Sequence, residues 1–427
     1  MYLNLHAQTT VSETEESSDS LTLQEVISRV VTKYPSVQQA EEAVRISEMQ
    51  IDLAKSGYLP GLRGTATYSY VYPVPSFNVP PFGNIELYPK NNFSAALNLN
   101  QTILDFGKTG SSVKLAEQNK NLSEARLDIV RQSLSIQTIT TYYSLVYIQH
   151  ALLINSEDLR TLKELVSYVE KKKSAGTATN YELITTRVKL QSAESQRIGL
   201  KSQWKARLSV LSSLTDSVFP ESITFAEDLL TWKNLADENE LLKQALSNRP
   251  EMILSKEQQE AAQLQYEVIK RQINPGISAF AQAGGKNGYP VDVNQVKFNY
   301  TAGLSLNVPI YEGHMEKHQL AIAKAGINNT VYSTALTKSS ITNEVVENLA
   351  NLQADEQEIK QYETQLEMSQ EAFSLAKTNY MAGTITNLDL LDSETNLSAS
   401  RLLLLKARIN YAIDVYKLRL SIGESLY

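Results

Sequence analysis

The chain has 427 residues, a formal net charge of −7 and no cysteine. The lack of cysteine excludes disulfides, thiolate metal ligands, a cysteine nucleophile and a cysteine-linked lipid anchor, and the acidic balance disfavours a nucleic-acid partner. Tyrosine (22 residues) outnumbers phenylalanine (9), and tyrosine favours places where an apolar environment meets water, such as membrane interfaces.

Residues 1–20 are read as a disordered lead-in or the remnant of a signal peptide. The start, MYLNLHAQ, is too short for a full signal peptide, but LHA before Gln8 resembles a small-residue cleavage site. The polar and acidic residues that follow are typical of disorder. No run of 18 or more apolar residues occurs anywhere, so we predict no transmembrane helix.

The remaining sequence contains two copies of the same structural repeat. Pro35 and Pro60 recur as Pro250 and Pro275, and AGTATNYEL (175–183) recurs as AGTITNLDL (382–390). The offset falls from 215 (250 − 35) to 207 (383 − 176) because the first copy carries an additional Pro-rich loop at 72–89, neither helix nor central strand. We predict repeats at 21–214 and 237–427, joined by a linker at 215–236.

Each repeat opens with two short helices, predicted at about 22–33 and 36–57, then 238–248 and 251–272. Alternating apolar and polar residues then predict a strand pair in each repeat: about 62–72 with 92–101, and 277–285 with 296–308. Pro60 and Pro275 mark the strand entries.

The strands suit a membrane barrel. Each has about ten residues, enough to cross a bilayer when tilted, and their alternation with tyrosines near the ends is typical of outer-membrane barrels. A half-buried soluble sheet is the alternative for any one strand, but four such strands in matching pairs favour the barrel. Because a barrel with a lumen needs about eight strands or more, four per chain imply an oligomer.

A very long helical hairpin follows each strand pair, at about 108–214 and 314–421. Residues 111–175 contain no Gly or Pro, and apolar residues recur every seven, as at Leu145, Leu152 and Leu159, which indicates coiled-coil packing. Gly176 and Gly383 are predicted to end the outgoing helices. Thr179 with Glu182, and Thr386 with Asp389, are predicted capping boxes of the returning helices.

The order strand pair, long hairpin, strand pair, long hairpin resembles the TolC-like outer-membrane efflux protein family. The resemblance runs from LTLQEVISRVVTKYPSV (21–37) to LRLSIG (418–423), and includes VPIYEG (308–313) and the two AGT tips. It implies a mostly α fold with a β-barrel part. Three protomers would share a 12-stranded outer-membrane β-barrel, four strands per chain, continued by a 12-helix periplasmic α-barrel of coiled-coil hairpins.

The resemblance also implies the function and the partners. The chain would be the exit duct of a tripartite efflux or type I secretion system in the outer membrane of a Gram-negative bacterium, with a long periplasmic extension. It would form a homotrimer in outer-membrane lipid, and would meet a periplasmic adaptor and an inner-membrane pump of the RND, ABC or MFS type.

The functional residues that the resemblance implies lie at the hairpin tips. Asp389 and Asp392 match acids that ring the periplasmic entrance, although helix capping is the alternative for Asp389. Tyr380 and Glu182 match a hydrogen-bonded pair that closes the entrance. The family's arginine two residues after the second glycine is replaced by Ile385.

Our hypothesis is therefore that apolar contact of Ile385 with Tyr181, together with the Tyr380–Glu182 bond, holds the gate shut. The family's tips also meet the adaptor. The matching residues here are Ala175, Gly176, Thr177, Ala382, Gly383 and Thr384, although helix termination alone would justify each glycine.

No enzyme motif is present in the sequence. His314 and His318 have a metal-binding spacing, but a third ligand is not evident, and no nucleophile-elbow, Walker or dinucleotide glycine pattern occurs. We predict a non-enzyme without cofactor or metal. Two other functions compete: a soluble coiled-coil scaffold, which does not explain the strands, and a general diffusion porin, which does not need such long helices.

Overall fold

A computed structural model describes residues 20–81, 83–226, 237–289 and 292–427. The lead-in predicted at 1–20 lies outside the described residues except for Ser20, and so does the second part of the predicted linker. Within the described ranges the chain is mainly helical. The helices are α1 (Leu23–Lys33), α2 (Pro35–Lys55), α3 (Lys108–Ser174), α4 (Asn180–Thr215), α5 (Glu238–Asn248), α6 (Pro250–Gln272), α7 (Met315–Ala382) and α8 (Asn387–Ser421).

The strands are β1 (Gly61–Tyr70), β2 (Ser76–Val79), β3 (Gly83–Glu86), β4 (Asn91–Leu104), β5 (Gly276–Lys286) and β6 (Lys297–Asn307). The mostly helical fold with four main strands is as the sequence predicted. Pro35 and Pro250 each occupy the first position of a helix, where the missing amide hydrogen costs nothing. Strands β1 and β5 begin directly after Pro60 and Pro275.

The described chain divides into two compact units. One unit contains Gln39–Ile129 and Pro250–Ser340, and with them the main sheet. The other includes Val130–Arg249 and Ile341–Tyr427, and with them both hairpin tips. Each unit draws on both predicted repeats, so the division into compact units differs from the division into repeats.

The main sheet is antiparallel and has the order β1-β4-β5-β6. Its register places Leu62, Leu99, Ala281 and Ala302 in one cross-strand row and Arg63, Asn98, Gln282 and Thr301 in the next. Successive residues of a strand face opposite sides, so one face is apolar and the other is mostly polar, with Phe280 as an apolar exception. The apolar face is exposed in the single chain, for example 79 % at Tyr300.

The Pro-rich loop contains a structure that the sequence did not predict. Strands β2 and β3 form a separate two-stranded sheet there, outside the main sheet. This agrees with the prediction that the loop is neither a helix nor a central strand. Strand β3 begins at Gly83, which has a φ of 77°, a conformation that favours glycine.

The long helices follow from uninterrupted sequence and a seven-residue seam. Helix α3 has 67 residues, which corresponds to about 100 Å at 1.5 Å per residue. Leu145 of the predicted seam of α3 is fully buried, and so are Tyr143 of α3 and Leu352 of α7. None of the described helices combines the length and apolarity needed to cross a membrane.

The start of the predicted linker packs as part of the core. The fully buried Tyr142 donates its hydroxyl to the carbonyl oxygens of Leu21 and Ala226, at 2.8 and 2.9 Å. Its ring packs edge-on against Phe225, which also contacts Trp204. Residues up to Ala226 are therefore held against α3 and α4.

Candidate functional site

Both hairpin tips have the same turn. At the first, Gly176 has a φ of 76°, and the Thr177 amide and hydroxyl both donate to the Lys172 carbonyl, at 2.8 and 3.0 Å. At the second, Gly383 has a φ of 79°, and Thr384 donates to Asn379 in the same way, at 3.0 and 3.0 Å. A left-handed glycine followed by a bond back to the last turn is the usual end of a helix.

This geometry explains the repeated AGT phrase without any partner. Glycine supplies the positive φ, and the threonine hydroxyl adds a second bond to a carbonyl that the helix leaves unpaired. The six residues predicted to meet an adaptor are all exposed. Their contact role stays a prediction, and both threonines also have a role within the turn.

The two tips differ in the use of their acids. At the second tip the Asp389 carboxylate accepts the Thr386 amide at 2.9 Å and its hydroxyl at 2.7 Å, which closes a capping box. At the first tip Thr179 caps the Glu182 amide at 3.1 Å, while a Glu182 carboxylate oxygen lies 3.4 Å from the Tyr380 hydroxyl. Glu182 therefore connects the two hairpins, and Asp389 stabilises its own helix.

Asp389 and Asp392 lie on the exposed side of α8. Their spacing of three places them on one helix face, whereas Leu390 and Leu391 between them are buried. The hydrogen bonds from Thr386 lower the pKa of Asp389, so this carboxylate keeps its charge further into acid than an ordinary aspartate. Asp389 therefore caps its helix and also carries a charge at an exposed position, so the capping role does not exclude the predicted role at the entrance.

A small apolar cluster, the tip cluster, joins the hairpins. Its buried members are Val169, Leu183, Tyr380 and Leu390, with Ile385 packed beside them. Tyr181, the predicted partner of Ile385, has a side chain that is 70 % exposed. Within one chain, Ile385 is therefore held by the tip cluster and Tyr181 remains available to another surface.

Tyr380 makes two polar contacts from its buried position. The Lys172 ammonium lies 4.5 Å from the centre of its ring, a cation–π arrangement. Burial, and then the Glu182 carboxylate, raise the pKa of Tyr380 to about 12, so the hydroxyl stays protonated and donates. At 3.4 Å the bond to Glu182 is long for an O–H donor, so we expect its contribution to be weak.

Asn387 is a tip residue that the sequence analysis missed. This first residue of α8 is 3 % exposed, and its amide donates to the Thr186 hydroxyl at 2.9 Å and to the Glu182 carbonyl at 3.3 Å. It therefore links the starts of α8 and α4. The sequence contained a signal for this residue, because Asn follows Thr in both copies of the phrase. The repeat did not show which Asn is buried: Asn180 is exposed and accepts a bond from Lys173 within its own tip.

Glu394 is a buried acid of α8, just beyond the tips. It is 7 % exposed and lies near the carboxylate of Asp158 and the cations of Lys189 and Arg401. Burial first, and then Asp158, raise the pKa of Glu394 from 4.5 to about 7. Its proton is therefore held more tightly in the folded than in the unfolded chain.

The Glu394→Gln variant is expected to be more stable than the parent protein at neutral and alkaline pH. The stability that comes with the protonated acid is complete below 4.5 and is lost as pH rises through about 7. The gain in melting temperature over the parent should be about 2–4 °C larger near pH 8 than near pH 5. Circular dichroism of the helices measures it, and Glu371→Gln, at an exposed site on α7, is the control. An equal gain at both pH values would contradict the assignment.

The described residues provide no group of three or more His, Cys, Asp or Glu that could hold a metal ion. His314 lies before α7 with a φ of 62°, and its ring packs edge-on against Tyr311 at 5.5 Å. The His314 and His318 pair thus has no further ligand in the part of the chain that the structure describes.

Comparisons with known proteins give one consistent family. The family model described as "Outer membrane efflux protein" matches residues 26–216 and 241–424. "Outer membrane protein TolC" of Escherichia coli K12 is 21 % identical over 386 residues, which cover 88 % of this chain and 76 % of that protein. "Nodulation protein T" of Rhizobium leguminosarum bv. trifolii is 22 % identical over 398 residues, covering 91 % and 82 %.

Solved structures agree with the fold. The CmeC outer membrane channel of Campylobacter jejuni superposes with a TM-score of 0.78 at 19 % identity, covering 94 % of this chain and 85 % of CmeC. The outer membrane protein VceC of Vibrio cholerae gives 0.77 at 20 % identity, covering 95 % and 97 %. The chain therefore has the fold of these outer-membrane proteins along nearly its whole length.

Proposed function

This chain belongs to the outer membrane efflux protein family, and from that premise we propose that it is the exit duct of a tripartite export system. The observation that carries the proposal is the sheet: one face is apolar and exposed, and the edge strands are β1 and β6. Three copies joined β6 to β1 would close 12 strands, with the apolar face toward lipid and the polar face toward a lumen.

The remaining parts of the duct follow from this arrangement. Helices α3 and α7 begin a few residues after β4 and β6, so each strand pair leads directly into a hairpin. Twelve such helices from three chains would continue the lumen into the periplasm. The exposed tips are the natural contact for a periplasmic adaptor, with an inner-membrane pump behind it of the RND, ABC or MFS type.

We also propose that the tips form the gate of the duct. Asp389 and Asp392 of three chains would surround the entrance with six carboxylates (two per chain). The Tyr380–Glu182 contact would hold the hairpins of one chain together. The exposed Tyr181 would meet Ile385 of a neighbouring copy.

The β6-to-β1 closure can be tested by cross-linking, because the chain contains no cysteine of its own. We expect Ala66→Cys on β1, combined in turn with Phe298→Cys, Tyr300→Cys or Ala302→Cys on β6, to give a covalent trimer in outer-membrane fractions for at least one pair. Ala66→Cys alone is the control.

The same membranes separate the proposed duct from the coiled-coil scaffold. A barrel protein remains in the membrane after carbonate extraction, and a coiled-coil scaffold is released into the supernatant. Release of the protein, together with no covalent trimer for any of the three pairs, would contradict the proposed function.

A further inference from the structure

The charge of the main sheet is entirely positive. Strands β1, β4, β5 and β6 contain no Asp or Glu, and their charged residues are Arg63, Lys286 and Lys297. All three lie on the polar face. Arg63 is in the row with Gln282, and Lys286 and Lys297 are each an even number of residues from that row.

The two lysines share one cross-strand row. Lys286 is the partner of Lys297 and also of Ser94, and Ser94 is the partner of Thr67. Side chains directly opposite each other are about 5 Å apart at Cβ, and like charges there are unfavourable. The row therefore presents two ammonium groups beside two hydroxyl groups, all of them hydrogen-bond donors.

The surroundings do not neutralise these lysines. Lys286 lies 5.2 Å from the centre of the Tyr289 ring, and the Tyr289 hydroxyl accepts a bond from Asn299. Neither lysine has an ion pair with a carboxylate in the described part of the chain. Lys90 in the neighbouring loop differs, because its ammonium lies 3.4 Å from Glu86.

The row is at the loop end of the sheet. Lys286 ends β5 and Lys297 begins β6, so only the connecting loop lies beyond them. At the opposite end of the sheet the strands connect to the helices: β1 and β5 follow α2 and α6, and β4 and β6 lead into α3 and α7. In the proposed trimer the lysine row would therefore line the outer mouth of the barrel, with six lysines (two per chain).

We propose that this lysine row is a binding site for multivalent oxyanions, such as phosphate and sulfate groups, at the outer mouth of the lumen. The inference rests on the proposed trimeric duct. Two long lysine side chains whose Cβ atoms are about 5 Å apart can bring both ammonium groups to the oxygens of one such anion, and bound anion relieves their repulsion. Solutes that carry these groups would be favoured in the last part of the duct, where the charge is opposite to that of Asp389 and Asp392.

Channel block in a planar bilayer tests the site. Sodium tripolyphosphate is added to the loop side of the protein in a bilayer free of lipopolysaccharide, so that only the soluble anion is present. We expect it to reduce the wild-type conductance, and we expect the Lys286→Gln/Lys297→Gln variant to need a concentration about tenfold or more higher. Lys90→Gln, at the paired lysine, should behave as wild type.

A calorimetric titration of the detergent-purified protein with tripolyphosphate gives a second reading that does not depend on gating. The site is supported if tripolyphosphate binds the wild-type protein but not the double variant, and if it still blocks the Lys90→Gln channel. Conducting wild-type channels with no block and no binding would overturn the site and leave the duct intact, as would equal block of the double variant. A protein that forms no channel would overturn the proposed function, and this inference with it.

Discussion

The Asp389→Asn/Asp392→Asn variant is expected to lose the cation preference of the channel in planar bilayers. Six carboxylates around a narrow aqueous entrance concentrate cations and exclude anions, because low-dielectric walls focus their field. Asparagine removes the charge and keeps an oxygen that can accept the Thr386 amide, so the start of α8 should stay capped. The reversal potential in a salt gradient should shift toward zero, and the cation-to-anion permeability ratio should fall about tenfold.

The solution conditions provide independent checks of the same entrance. Raising the salt from 0.1 M to 1 M shortens the screening length from about 10 Å to about 3 Å, so wild-type selectivity should weaken. Selectivity should also persist as the pH falls into the ordinary range for aspartate, because hydrogen bonds from Thr386 lower the pKa of Asp389.

Glu394→Gln, recorded near pH 8 so that this acid with a pKa of about 7 is mostly charged in the parent protein, is the matched control for the charge effect. It removes a carboxyl from the same helix, two residues beyond Asp392, but at a position that is only 7 % exposed. The control should leave the permeability ratio unchanged. An effect as large as that of the double variant, or a double variant that stays cation-selective, would show that Asp389 and Asp392 do not line the entrance.

The second large effect is expected from the contacts that join the hairpins at the tips. We expect Asn387→Leu to raise the resting conductance more than Tyr380→Phe does. Asn387 makes a buried bond of 2.9 Å to Thr186, whereas the Tyr380–Glu182 contact is 3.4 Å long. A buried hydrogen bond contributes about 1 kcal/mol. Its loss in three copies that open together would change the ratio of open to closed channels roughly a hundredfold.

Asn180→Leu is the matched control for this prediction, because Asn180 holds the equivalent place in the first tip and is exposed. Single-channel recordings of the three variants give the open probability directly. Wild-type behaviour of Asn387→Leu would mean that the hairpins are held by the tip cluster instead. An unchanged resting conductance of Tyr380→Phe would remove the hydrogen-bond part of the gate hypothesis.

The family and its fold were readable from the sequence because the features that define them are local or repeat at a fixed period. Period-two alternation located β4 and β6, a seven-residue seam located α3, the structural repeat placed α7 in the second copy, and two glycines located the tips. The match of the family model to residues 26–216 and 241–424 confirms the resemblance. The predicted repeats at 21–214 and 237–427 stay a prediction.

The sequence alone determined the elements, and the tertiary structure decided which residues face which. Glu182 and Asp389 occupy equivalent places in the repeated phrase, yet only Asp389 closes its capping box, while one carboxylate oxygen of Glu182 lies beside Tyr380 of the other hairpin. Asn387 is buried because it packs against Thr186 and Glu182, about 200 residues away in the chain, whereas Asn180 is exposed and contacts Lys173 of its own tip. The opposition of Lys286 and Lys297 likewise depends on strand register, which is set by the pairing of whole strands rather than by either residue's neighbours in the chain.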